Sequence, residues 1–285
     1  MTSLGEDRPR AESRAASGSW PDAEARAVRA APAEPRFATV QGLRIRYLER
    51  GSGTPLLLLH GWGSSLETFH GLGGDLARLF RVTAFDFPGH GESDLPPGTW
   101  RVDDFVESTL GLMAELGIEQ AAVLGHSFGG RVAIKLAAAH PEKVARLVLV
   151  DAAGVPPPRT WRRAIRRGAS RFANGIGRHF GGPGRDVRRA IVRRIASPDY
   201  LSAGPLRATF VAIVNEDLRP ALSAIKCPTL LVWGENDEDT PLADARIMEK
   251  LIPNSSLLVL KNAGHFSYLD QYGRLRLALI PFLNG

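Results

Sequence analysis

The sequence predicts an α/β protein: a mostly parallel central sheet covered by helices on both faces, with a helical cap inserted over the C-terminal edge of the strands. Three observations predict it. Short apolar runs such as 55–59 and 229–233 have the pattern of strands buried on both faces. These runs alternate with amphipathic stretches of helical period. The alternation breaks once, over 154–220, where three helical patterns follow one another with no strand between them.

Taken in order, residues 1–36 are rich in Arg, Glu, Ala, Ser and Pro and cannot bury a core, so they are expected to form a disordered tail. They also lack the apolar stretch of a secretory signal. Segments 36–40 and 43–49 read as an antiparallel pair turned by Gln41-Gly42. Buried strands are then expected at 55–59, 81–85, 121–124, 145–150, 229–233 and 256–260. Helical patterns cover 69–79, 102–116, 128–140, 243–251 and 268–282. The sheet domain is accordingly assigned to 37–153 and 221–285, and the cap to 154–220. In the cap, Trp161, Ile165, Gly168, Phe172 and Ile176 share one helical face opposite arginines. Asp186 can cap a second helix carrying Val187, Ile191 and Ile195; Leu206, Phe210, Ile213 and Val214 mark a third.

Composition narrows the function classes. The 285 residues are 44 % apolar and 23 % charged, as in ordinary soluble proteins. Cys227 stands alone, so an intrachain disulfide and a cysteine metal cluster are both excluded; it reads as a small buried hydrophobe. No apolar run approaches the roughly 18 residues that span a bilayer, and a cytoplasmic enzyme is expected. Between 154 and 210 there are 13 arginines, no lysine and only Asp186 and Asp199 as acids, a local charge of +11. Against a total of +6, the rest of the chain carries about −5, so the basicity belongs to the cap.

The chemistry begins at Gly125-His126-Ser127-Phe128-Gly129, a G-x-S-x-G sequence between a buried strand and a helical pattern. A serine there must occupy a tight strand-to-helix turn, and flanking glycines avoid side-chain collisions. The turn projects Oγ outward and puts the Phe128 N–H at a helix N-terminus, where it can hold an oxyanion. A plain glycine turn is the alternative, and the strand and helix on either side weigh against it.

A serine hydroxyl needs a base, and the chain has seven histidines. His140 ends a helix, while His70 and His179 lie in helical or cap regions. His126 should point away from Oγ, and His60 and His90 read as loop-ordering groups. His265 follows the last strand on the same sheet edge as Ser127, and is the expected general base. Its carboxylate partner is expected just past strand 229–233. Asp237 is a candidate there, with Glu235, Glu238 and Asp239 as close rivals, and Asp151 as an alternative at the end of another strand. The second oxyanion donor is expected in His60-Gly61-Trp62-Gly63, at the Trp62 N–H.

His60–Gly63, Asp86-Phe87-Pro88-Gly89-His90-Gly91-Glu92-Ser93, Gly125–Gly130, Trp233–Pro241 and Gly264-His265-Phe266 together resemble the α/β-hydrolase fold family, most of all its small cap-bearing esterase and carbon–carbon hydrolase branch. The resemblance spans about Phe37 to the C-terminus. It implies Asp237 as the acid, at the Gly-x-x-Asp position, and oxyanion donors at Trp62 and Phe128. Relatives with haloalkane dehalogenase or epoxide hydrolase chemistry use an aspartate nucleophile, which Ser127 argues against.

The expectation is a serine hydrolase acting on a small or medium apolar acyl ester by an acyl-enzyme route, with Ser127, Asp237 and His265 as its triad. Gly61, Trp62, Phe128 and Phe266 are the pocket candidates. No metal or organic cofactor is required, and no nucleic-acid motif accompanies the charge. The arginines admit three readings: a solvated helical face, a funnel for an anionic substrate, or a peripheral membrane contact. Alternatives for function are carbon–carbon cleavage of acidic ring-cleavage ketones, perhydrolysis as a side activity, and a slow-turnover ligand-binding or signalling protein.

Overall fold

The computed structural model describes residues 34–156 and 203–285. Residues 1–33 of the expected tail and the first two expected cap helices lie outside the described residues. Eight strands form one sheet: β1 (Arg36–Val40), β2 (Leu43–Arg50), β3 (Pro55–Leu59), β4 (Arg81–Phe85), β5 (Ala121–His126), β6 (Val144–Val150), β7 (Thr229–Gly234) and β8 (Ser255–Leu260). Their order is β1-β2-β4-β3-β5-β6-β7-β8. The pairs β1/β2 and β2/β4 are antiparallel and the remaining pairs parallel. Arg36, placed in the tail by the domain boundary, is the first residue of β1 and pairs with Tyr47. The β1–β2 turn has Gln41 at φ 52° and Gly42 at φ 80°, the left-handed pair that suits a two-residue hairpin.

The eight helices of the described residues that follow or separate these strands are α1 (His70–Leu76), α2 (Val102–Glu115), α3 (Phe128–Ala139), α4 (Arg207–Asn215), α5 (Arg219–Leu222), α6 (Leu242–Leu251), α7 (Ser267–Asp270) and α8 (Tyr272–Asn284). The side-chain period of two divides the central strands between two faces. Leu57, Leu59, Val123, Leu147, Leu149, Leu231 and Trp233 join one cluster with residues of α2, α3 and α6. Leu56, Leu58, Ala122, Leu124, Val148 and Val150 are equally buried on the opposite face. There α1 passes so close that a Cβ on Gly73 would lie 3.4 Å from Leu58, and Arg146 reaches over the Phe282 ring of α8. Each buried leucine contributes about 1.5–3 kcal/mol, which is why the central strands read as unbroken apolar runs.

Two helix expectations change. The pattern 69–79 forms a shorter α1 preceded by a 3-10 turn at Leu66–Phe69. The pattern 268–282 is two helices, broken at Gln271 (φ −130°, ψ 42°). Periodicity cannot report that break, because tertiary bonds anchor the two helices separately: Ser267 N–H donates to Asp151 and Tyr272 Oη to Asp75. Cys227 is half-buried against the core rather than fully buried, and burial pushes its thiol up. The third helical pattern of the cap segment is α4, preceded by a 3-10 turn at Gly204–Leu206. No helix among the described residues is long and apolar enough to cross a membrane.

Candidate active site

The parallel strands β3, β5, β6, β7 and β8 all end on one edge, where open α/β sheets receive ligands. Ser127 lies between β5 and α3 at φ 51° and ψ −112°. Such backbone is uncommon for a residue with a side chain and costs about 1–3 kcal/mol. The neighbouring glycines make room for it. A Cβ on Gly129 would sit 2.1 Å from the Leu59 carbonyl oxygen, and one on Gly125 would sit 2.5 Å from that of Gly129. The turn is held by Ser127 N–H donating to the Val150 carbonyl at 3.2 Å, and by the Ser127 carbonyl accepting from Gly130 and Ala153 at 3.0 Å each.

His265 comes from the loop after β8. Its Nε2 is 2.9 Å from Ser127 Oγ, and its Nδ1 is 2.9 Å from Asp237 Oδ2. With Nδ1–H donating to the carboxylate, Nε2 is left to accept the serine proton. Of the four acids that follow β7, Asp237 is the one bonded to His265. Its Oδ1 also accepts the N–H groups of Asp239 and Thr240 at 2.9 Å each, and its Oδ2 accepts the Thr240 hydroxyl at 2.7 Å. Burial pushes the Asp237 carboxyl up, but its bonds from His265 and Thr240 outweigh burial and hold it below the usual range. Burial likewise pushes His265 down, and its bond to Asp237 and that residue's charge outweigh it, leaving the imidazole above its ordinary value.

The loop after β3 lies against the serine: a Cβ on Gly61 would be 3.4 Å from Ser127 Cβ. Trp62 packs edge-on to Phe128, with ring centroids 5.5 Å apart, and Phe210 of α4 lies 5.1 Å from Trp62. The backbone N–H groups of Trp62 and Phe128 donate to no other described residue. Phe266 stands at the rim, 45 % exposed, with its ring against His126 and His265. Asp237, Asp239 and His265 bring donor atoms within 4.8 Å of one another, but a cation there would have to break the Asp237–His265 bond.

His60 and His90 order loops: His60 Nδ1 donates to the Gly61 carbonyl while its Nε2 accepts from Phe87 N–H, and His90 Nδ1 donates to the Pro88 carbonyl. His126 makes no bond to Ser127; its Nε2–H donates to the His265 carbonyl at 2.8 Å. Burial holds His60 down at about 3 and both His90 and His126 at about 4, so all three are neutral imidazoles. Sequence reasoning missed that His126 fixes the base loop, and missed Thr240 altogether. The His126 contact joins loops of separate strands and has no local signal, whereas Thr240 bonds Asp237 three residues earlier in the same loop, a spacing the sequence could have offered. Asp151, the rival acid, faces Gly234 and Ser267 instead of the His265 ring, and burial pushes its carboxyl up to about 7.

A family model described as alpha/beta hydrolase fold matches residues 54–187 and 187–272. The chain belongs to the alpha/beta hydrolase fold family. Within it, a pimeloyl-[acyl-carrier protein] methyl ester esterase of Aeromonas hydrophila is 30 % identical, over 77 % of this chain and 91 % of that one. A 2-hydroxymuconate semialdehyde hydrolase of Pseudomonas sp. strain CF600 is 28 % identical, over 85 % and 91 %. A thermophilic esterase of Thermogutta terrifontis superposes with a TM-score of 0.69 at 26 % identity, over 88 % and 98 %. Alpha/beta hydrolases are generally hydrolytic enzymes, and esterases and a semialdehyde hydrolase are among these relatives.

Proposed function

We propose that this alpha/beta hydrolase is a carboxylic-ester hydrolase working through an acyl-enzyme, with Ser127 as nucleophile, His265 as general base and acid, and Asp237 as its partner. The observation that carries the reading is the continuous bonded path Ser127 Oγ–His265 Nε2 and His265 Nδ1–Asp237, 2.9 Å at each step. Ser127 Oγ attacks the ester carbonyl as its proton passes to His265, whose charge Asp237 stabilises. The Phe128 and Trp62 N–H groups, which donate to no described residue, hold the oxyanion. Collapse expels the alkoxide, protonated by His265; water, deprotonated by the same imidazole, then releases the acid and restores Ser127.

Trp62, on the loop whose Gly61 lies against Ser127, packs with Phe128 and Phe210 into an aromatic wall, which supports an apolar acyl group of small or medium size. In this reading 154–220 is a cap, α4 being the part that reaches the wall, and the enzyme works in the cytoplasm with the cap arginines meeting solvent, an anionic substrate or a membrane surface. A second reading, carbon–carbon cleavage of a ring-cleavage ketone, is favoured by the semialdehyde hydrolase relative and uses the same three residues.

Hydrolysis of p-nitrophenyl acetate, butyrate and octanoate by wild type and Ser127→Ala tests the proposal. Turnover that falls by about 10⁴-fold or more in the variant is expected. Equal turnover by the two proteins would remove the ester reading. A vinylogous diketone acid cleaved where esters are not would transfer the assignment to the second reading. Tight retention without release would make the protein a receptor.

A further inference from the structure

We propose that Asp151 is a positioning residue that locks the loops of Asp237 and His265 to each other behind Ser127. The inference rests on the reading of Ser127, His265 and Asp237 as the reacting set. Asp151 is fully buried at the end of β6, between β5, which delivers Ser127, and β7, which delivers Asp237. Its Oδ1 accepts the Gly234 N–H at 2.8 Å, where β7 passes into the Asp237 loop. Its Oδ2 accepts the Ser267 N–H at 3.0 Å, two residues beyond His265. One carboxylate thus ties the start of the acid loop to the end of the base loop.

The main chain of Asp151 extends the tie. Its carbonyl oxygen lies 3.0 Å from the Thr240 hydroxyl oxygen, which is also 2.7 Å from Asp237 Oδ2 and 3.4 Å from His265 Nδ1. Its N–H donates to the Val232 carbonyl at 2.9 Å. To make these bonds Asp151 adopts φ 45°, a left-handed backbone that a side chain occupies only under constraint. A displacement near 1 Å in the acid–base geometry costs about 100-fold in rate, so a residue setting the spacing of the two loops acts on kcat rather than on substrate affinity.

Asp151→Asn isolates this role. Asparagine keeps the size and tolerates positive φ, but its NH2 meets one of the two N–H donors, turning a bond into a donor–donor clash. The variant is compared with wild type in four measurements: p-nitrophenyl butyrate kinetics, the rate of fluorophosphonate labelling of Ser127, thermal midpoint, and the downfield proton NMR signal of His265 Nδ1–H, assigned by its absence in His265→Ala. Expected are a fall in kcat and labelling rate of about 10–100-fold, KM within about twofold, and a shifted or broadened His265 proton. Wild-type kcat, labelling and His265 proton would overturn the proposal, even with a lowered thermal midpoint, since Asp151 would then only stabilise the fold. Should Asp151→Asn not fold, Asp151→Ser carries the same comparison. If wild type neither turns over nor labels, the nucleophile reading has failed, and the His265 proton alone still decides for or against the tie.

Discussion

Ser127 stands in strained backbone at the turn between β5 and α3, and its partners in the proposed triad are held by opposed forces. His265 is pushed down by burial yet ends above its ordinary value of 6.5 because Asp237 favours its charged form. Protonated His265 cannot take the serine proton, so kcat/KM should fall toward acid with an apparent pKa above 6.5, read from a pH–rate profile. Asp237→Asn removes the charge that raises it. The acid limb should then move down, and kcat should drop on the order of 10³–10⁴-fold, as expected when the tautomer is no longer held. Equal limbs in the two proteins would show that another group governs the profile.

Among the elements, the elbow between β5 and α3 depends on contacts that reach other strands. The Cβ of Gly129→Ala would meet the Leu59 carbonyl of β3, which is fixed by sheet pairing to both neighbours. This variant should lose about 3 kcal/mol or more in urea unfolding, or fail to accumulate as folded protein. Gly63→Ala would meet nothing within 4 Å and would suffer only from its φ of 68°, a cost of about 1 kcal/mol. If both lose the same amount, crowding at the elbow is not what requires glycine. The central strands were readable because burial on both faces leaves an apolar run. The break at Gln271 was not, because it answers to Asp75 and Asp151, which lie on other elements.

For the whole molecule, three neutral buried histidines tie stability to pH. Their folded values, about 3 for His60 and about 4 for His90 and His126, lie below the unfolded value of 6.5. The unfolded chain therefore binds more protons below pH 6.5, and stability falls as pH drops from 6.5 toward 4. At pH 5 each costs about 2 kcal/mol relative to neutral pH. Asp151 and Asp244, raised to about 7 and about 6, act in the opposite direction over part of that range and offset some of the loss. His90→Phe should shrink the pH 7-to-5 stability loss by about 2 kcal/mol in urea titrations, whatever it does to stability at pH 7. An unchanged difference would mean that His90 is protonated in the folded state.

The sequence by itself determined the strand and helix alternation, the serine on its elbow and the candidate base, because apolar period, glycine spacing and chain order are local properties. Among Glu235, Asp237, Glu238 and Asp239 it left the choice to family resemblance, since four neighbouring acids have the same local pattern. Only the tertiary structure decided what faces what: Asp237 turned to His265, Asp151 to Gly234 and Ser267, and His126 to the His265 carbonyl. These contacts join residues from about 30 to 140 positions apart, and hydrogen bonds at such separation follow from strand order and register rather than from any pattern along the chain.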